Sequence, residues 1–185
     1  MAADDDGDRL RSARRPVVVV MGISGSGKTT IGRALARRLG CAFQEGDTFH
    51  PPANVEKMRS GIPLTDADRA PWLDKVAAWI AARAAADEAG VIACSALKRT
   101  YRDRLRAVDA ELAFVFLDPG EAVLRERLAR RIGHFMPASL LTSQLEALEA
   151  PAPSERSIRL SGEEDIEAAC DRIIAWLNVT ATCAS

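Results

Sequence analysis

Residues 17–21, VVVVM, form an unbroken apolar run directly after Pro16. A β-branched run with no polar alternation predicts a strand buried on both faces of a parallel sheet. A glycine-rich turn follows. Apolar positions Ile31, Ala34, Leu35 and Leu39 then recur at helical spacing, predicting a helix over 28–39 that closes at Gly40. Residues 41–43 read as a second strand. Residues 44–70 carry no period and are punctuated by Pro51, Pro52, Gly61 and Pro63, as in a structured binding segment. A long helix is predicted over 70–88, with Pro71 in its first turn, a stripe of Trp72, Val76, Trp79 and Ile80, and Gly90 as its end.

The same alternation continues to the C-terminus. Strands are predicted at 91–94, 112–117 and 157–160. Helices are predicted at 98–108 (basic), 121–131 (arginine-rich), 138–148 and 163–177. Strands alternating with helices imply an α/β fold: a three-layer, doubly wound parallel sheet of about five strands with right-handed crossovers. Ligands in such sheets bind at the carboxyl ends of the strands. The expected organisation is one domain over 16–178, with a disordered tail at 1–15 and a C-terminal tail at 179–185. Trp72, Trp79 and Trp176 lie on apolar helical faces and read as core.

Composition narrows the partners. The chain has 185 residues, 48% of them apolar and 28% charged, with a formal net charge of −1. A nucleic-acid or membrane surface usually needs a marked basic excess, so neither partner is expected. No apolar run approaches the ~20 residues of a membrane span. Four cysteines, Cys41, Cys94, Cys170 and Cys183, lack CxxC spacing and read as free thiols in a reducing compartment. Cys41 and Cys94 read as buried. The acidic, polar start of the chain lacks the apolar segment of a secretory signal. A cytoplasmic location is the expectation.

Residues 22–29, GISGSGKT, carry the chemistry. The spacing Gly22-x4-Gly27-Lys28-Thr29 is that of a phosphate-binding loop, set between a strand and a helix as its mechanism requires. Gly22, Gly25 and Gly27 let the backbone turn its N–H groups onto phosphate oxygens, with Ser24 and Ser26 between them. The helix N-terminus, with Thr30 in its first turn, favours the same anion. Lys28 supplies a positive charge for the outer phosphates of ATP, and the Thr29 hydroxyl can ligate Mg²⁺. The base-reading NKxD of a GTPase is absent, and Asp87–Gly90 precedes the third strand, so its DxxG spelling reads as a helix ending. Size and arginine content point to a small-substrate kinase.

The middle of the chain resembles gluconokinase, the small P-loop enzyme that phosphorylates D-gluconate. The resemblance rests on Gly46-Asp47-x2-His50-Pro51, on Asn54-x2-Lys57-Met58-x2-Gly61-x-Pro63-Leu64, and on Asp66-x-Asp68-Arg69-x-Pro71-Trp72-Leu73. It continues through Cys94-Ser95-Ala96-Leu97-Lys98 with Tyr101-Arg102, and Arg127-x3-Arg131-x2-His134-Phe135-Met136-Pro137 with Ser143-Gln144 beyond. It implies a fold like that of shikimate kinase, ATP and Mg²⁺ as cofactors, D-gluconate as the small-molecule substrate and a homodimer. It also implies a substrate segment near 47–75 and a lid near 127–137. The same scaffold serves other acceptors, so shikimate or another sugar acid stays open, as does a non-enzymatic ATP-binding regulator.

By this resemblance Asp47 holds the acceptor hydroxyl and takes its proton. Lys57 and Arg69 are expected to bind the substrate carboxylate, where arginine offers a planar fork and lysine a point charge. Arg59 falls outside the pattern and reads as a solvated charge. His50 is expected at a substrate hydroxyl or bracing its loop. Ser95 and Lys98 follow the third strand at the binding edge, while Tyr101 and Arg102 read as holding that element in place. Arg127 and Arg131 lie four apart on one helical face, where an anion between them relieves their repulsion; ATP phosphate is the expected anion, with Arg127 alternatively stacking on adenine. His134 is expected to close the lid over substrate. Glu45 is placed to reach the Mg²⁺ shell through water, and Asp118 reads as a turn residue.

Overall fold

The computed structural model describes residues 15–130 and 138–182. Arg131 and His134, most of the expected lid, residues 1–14 and residues 183–185 lie outside the described residues. Five strands, β1 (Val17–Met21), β2 (Ala42–Glu45), β3 (Gly90–Ala93), β4 (Ala113–Leu117) and β5 (Ser157–Leu160), form one parallel sheet in the order β2-β3-β1-β4-β5. β1 is central: Val19 sits beside Ile92 of β3 on one side and Phe114 of β4 on the other. The helices are α1 (Lys28–Leu39), α2 (Pro52–Arg59), α3 (Asp66–Ala85), α4 (Arg99–Arg106), α5 (Glu121–Arg130), α6 (Ala138–Ala147) and α7 (Ile166–Thr182).

The two faces of β1 divide the core. Val17, Val19 and Met21 pack with Trp72, Val76, Ile80, Tyr101 and Leu105 of α3 and α4. Val18 and Val20 pack with Ile31, Leu35, Cys170, Ile173 and Leu177 of α1 and α7. Because side chains alternate along a strand, a run apolar at every position is what a sheet covered on both sides needs. A third cluster, Ile23, Leu97, Leu124 and Leu141 with Leu128 and Leu145 against it, lies beyond the carboxyl edge and anchors α5 and α6 there.

Several boundaries differ from the sequence pattern for identifiable reasons. The irregular segment contains α2, with Pro52 at its first turn, where a missing N–H costs nothing. α3 begins at Asp66, earlier than predicted, because Thr65 and Asp68 form a reciprocal capping box. Pro71 therefore lies inside the helix. Gly90 does not end α3; it opens β3, and a side chain there would meet the Trp79 ring at 2.7 Å. α7 runs over Ile166–Thr182, beginning and ending later than the helix predicted at 163–177. Trp72 is core at 1% exposure, whereas Trp79, Trp176 and Cys41 are half-buried. These last three pack against the core clusters from their margins, and Trp79 and Trp176 also lie under the guanidinium groups of Arg83 and Arg156.

Candidate active site

The loop between β1 and α1 folds as the phosphate loop requires. Gly22, Gly25 and Gly27 all have positive φ, at 140°, 87° and 102°, which side-chain-bearing residues rarely adopt. The Gly22 N–H donates to the Ser95 carbonyl, joining this loop to the one after β3. Ser26 is buried, and its N–H donates to the Ile23 carbonyl. Lys28 Nζ donates to the Ile23 carbonyl at 3.0 Å, lying back over its own loop. Thr29 and Thr30 are exposed at the start of α1. The Thr29 hydroxyl donates to Glu45 Oε2 at 2.7 Å, bringing two hard oxygen donors together from β2 and α1. Such oxygens suit Mg²⁺, whose sites commonly pair one or two protein oxygens with phosphate and water.

Arg127 reaches the same loop from α5. Its guanidinium donates to the Gly162 carbonyl at 2.7 Å and to the Ser26 carbonyl at 3.4 Å. It bridges the phosphate loop to the segment after β5. Asp118, after β4, pairs with Arg159.

Next to the loop opens a cavity of about 680 Å³. Ser24, Lys28, Asp47, His50, Arg69 and Ser95 line it, so residues from the strand ends, α1 and α3 converge on one space. Asp47 lies in a tight turn, Gly46–Phe49, directly after β2. Buried Trp72 fixes that turn: its indole N–H donates to the Gly46 carbonyl at 2.8 Å. The His50 ring stacks on Trp72 with centroids 4.5 Å apart. The pattern of residues 71–73 marked Trp72 as core without disclosing that its polar edge holds the acidic turn. Arg59, exposed at the end of α2, also lines the cavity.

The substrate-side cations are not equally placed. Lys57 and Lys98 do not line the cavity. Lys57 pairs with Asp68 at 2.7 Å, and Lys98 with Asp66 at 2.8 Å. Arg69 lines it while donating to the Leu64 carbonyl at 2.6 Å and lying 3.9 Å from Asp66. The acidic first turn of α3 thus gathers three cations. Hydrogen bonding from Lys57, followed by that from Thr65, brings the Asp68 carboxyl down to about 2. Lys98 and then Tyr101 lower Asp66, and Asp66 in turn raises Lys98. Cys94, behind the site, is wholly buried, and burial pushes its thiol up to about 12. It is no nucleophile at neutral pH.

A turn with positive φ at Ala96, 44°, follows β3 and presents Ser95 and Leu97 to the cavity. Arg102 of α4 holds it, donating to the Ala96 and Leu97 carbonyls at 3.1 Å each. The guanidinium is gripped in turn by Glu155 in a two-pronged ion pair of 2.6 and 3.0 Å.

His50 makes a pH prediction. Burial lowers its pKa from 6.5, with Asp47 opposing and Arg69 reinforcing the shift. As pH falls below 6.5, the unfolded chain takes up this proton before the folded one, so stability is lost in that direction. His50→Phe keeps a ring on Trp72 and removes the titration. Its Tm is expected to fall less than that of the native protein between about pH 7 and about pH 5.5. Equal slopes in a thermal-melt pH series would remove His50 as the source.

Known proteins place this arrangement. A family profile described as an AAA domain matches residues 17–151. A gluconokinase of Gluconobacter oxydans (strain 621H) is 54% identical over 157 residues, covering 85% of this chain and 88% of that protein. The chain belongs to the gluconokinase family. The crystal structure of a gluconokinase from Sinorhizobium meliloti 1021 superposes with a TM-score of 0.83 at 46% identity, covering 92% of this chain and 96% of that one. Shikimate kinase from Aquifex aeolicus shares the fold alone, at a TM-score of 0.56 and 18% identity. In this member of the gluconokinase family, Lys28 of the phosphate loop and Asp47 of the turn after β2 line one cavity.

Proposed function

We infer that this protein transfers the terminal phosphoryl group of ATP to D-gluconate, giving ADP and 6-phospho-D-gluconate. The observation that carries it is the shared cavity in which Lys28 of the phosphate loop and Asp47 both stand, in a chain 54% identical to a gluconokinase. Asp47 accepts the proton of a primary hydroxyl. That oxygen bonds to the terminal phosphorus in line as the bond from phosphorus to the ADP oxygen breaks. Lys28 and Arg127, with Arg131, neutralise charge spread over the transferring group, and His134 is assigned to close over the substrate. Thr29 and Glu45 would hold Mg²⁺, which would supply further positive charge at the phosphates. The rest of catalysis is positioning. The family resemblance further supports a homodimer working in the cytoplasm. Among the described residues Cys41, Cys94 and Cys170 are free thiols, as a reducing compartment requires, and no helix is long and apolar enough to cross a membrane.

The substrate carboxylate is assigned first to Arg69, then to Lys57, with His50, Ser95 and Lys98 completing the sugar-acid pocket. Arg69 already lines the cavity, whereas Lys57 is engaged by Asp68. A charge-assisted hydrogen bond contributes about 1.5–3 kcal/mol, so Arg69→Met is expected to raise the gluconate KM by about 10- to 100-fold. Lys57→Met should raise it less, with kcat little changed in both. The reverse order would exchange the two assignments, and an unchanged KM would remove the residue concerned. The reaction itself is tested by ADP release across a panel of sugar acids and shikimate. Gluconate-dependent turnover supports the proposal; turnover with a different acceptor, or ATP binding without turnover, overturns it.

A further inference from the structure

α6 carries a polar interruption in an apolar stripe. Leu141, Leu145 and Leu148 follow helical spacing, and Leu141 and Leu145 pack in the cluster beyond the carboxyl edge. Gln144 stands on the same face. A glutamine among leucines needs a partner for its carboxamide, and it finds one 120 residues away in the phosphate loop. Gln144 Oε1 accepts the Ser24 N–H at 2.8 Å, and Gln144 Nε2 lies 3.4 Å from Ser24 Oγ as donor. Its neighbour Ser143 lines the same cavity but turns back to the Leu140 carbonyl at 3.0 Å, so Gln144 adds a hydrogen-bonded contact to the apolar one that Leu141 makes in the cluster holding Ile23 of the loop.

The location matters. Ser24, Gln144, Lys28 and Asp47 all line the one cavity. Ser24 therefore stands at the border between the phosphate cradle and the acceptor space, where the terminal phosphorus must meet the acceptor oxygen. Two other amides of the loop are held by backbone carbonyls: Gly22 donates to Ser95 in the loop after β3, and Ser26 to Ile23 within the phosphate loop. The Ser24 amide is held by a side chain, a neutral group mounted on a packed helix. A carboxamide suits the task, because it accepts from the amide without adding negative charge beside a phosphate, as a carboxylate would.

We propose that Gln144 is a positioning residue for phosphoryl transfer: it fixes Ser24 at the donor–acceptor border and so aligns the terminal phosphoryl group with the acceptor hydroxyl. This rests on the kinase reaction proposed above. Misplacement of reacting groups by about 1 Å costs about 10²-fold in rate, and that sets the expected scale. The role is to orient rather than to bind, so the effect should fall on kcat.

The test uses the full chain with Gln144→Ala and Gln144→Met, the latter retaining length and apolar packing against α6's neighbours. The readouts are steady-state kinetics with gluconate, ATP affinity by calorimetry, Tm, and hydrogen exchange of the Ser24 and Ser26 amides by NMR. In both variants kcat is expected to fall by about 10- to 100-fold, with ATP affinity and gluconate KM within about threefold of native. Ser24 exchange should accelerate while Ser26 is unmoved. Gln144→Glu, which keeps the acceptor but adds charge, should weaken ATP binding as well. Native kcat in Gln144→Ala and Gln144→Met overturns the inference. So does an activity loss that only tracks loss of folded protein, or an unmoved Ser24 amide. If the native protein does not turn over gluconate, the gluconate assignment fails by itself, and the Ser24 amide still decides whether Gln144 holds the loop.

Discussion

Asparagine at position 47 is expected to lower kcat by about 10²- to 10⁴-fold while ATP still binds. The substitution keeps the shape of the side chain and its place in the turn after β2, which Trp72 holds through the Gly46 carbonyl. What it removes is the capacity to take a proton. The acceptor hydroxyl is then left without a base beside Lys28, while the phosphate loop and Arg127 are untouched. Steady-state turnover with gluconate, alongside calorimetric titration with ATP, separates the two outcomes. Near-native turnover in Asp47→Asn would take Asp47 out of the mechanism; lost ATP affinity would mean that the turn, not the base, had been damaged.

Glu155→Ala should produce the largest loss of stability. Both members of the Arg102–Glu155 pair are sealed from water, at 1% and 0% side-chain exposure. Removing one partner leaves a buried guanidinium uncompensated, which costs about 3–5 kcal/mol. For a domain of this size that lowers Tm by about 10 °C. The loss should reach function, because Arg102 also holds the Ala96 and Leu97 carbonyls in a turn with a positive φ. Strained backbone of this kind persists only where its surroundings impose it. Hydrogen bonding from Arg102 lowers the Glu155 carboxyl below its ordinary 4.5. The pair's stabilisation is therefore complete above that value and lost as pH falls through the lower folded value, a dependence absent from the variant. A Tm within a degree or two of native would show that the pair is dispensable.

The two predictions draw on different kinds of legibility. Asp47 was readable from sequence because its chemistry is local: an acidic residue just past a strand, at the sheet's carboxyl edge, within a run that resembles gluconokinase. Arg102 was readable only as a residue that holds its element. Glu155 lies 53 positions away, in a stretch without period, and no spacing rule connects them. Gln144 is intermediate. Its interruption of an apolar stripe is visible in the sequence, but its partner Ser24 is not, since the contact depends on how α6 is seated beyond the sheet. The cations divide likewise. Sequence grouped Lys57, Arg69 and Lys98 with the substrate by type and position. The fold set them against Asp66 and Asp68 because the capping box starts α3 earlier than the pattern predicts and turns its acidic first turn toward them.

By itself, then, the sequence determined the parallel α/β architecture, the phosphate loop, the acidic turn after β2 and the family. Each of these is written in short-range pattern: an unbroken apolar strand, glycines at fixed offsets, a motif between a strand and a helix. Tertiary structure alone decided that Trp72 fixes the Asp47 turn, that Arg102 and Glu155 lock the loop after β3, that Gln144 meets Ser24, and that Arg69 rather than Lys57 faces the cavity. Those are contacts between distant segments, and only the packing of helices on both faces of the sheet and beyond its carboxyl edge brings them within hydrogen-bonding reach.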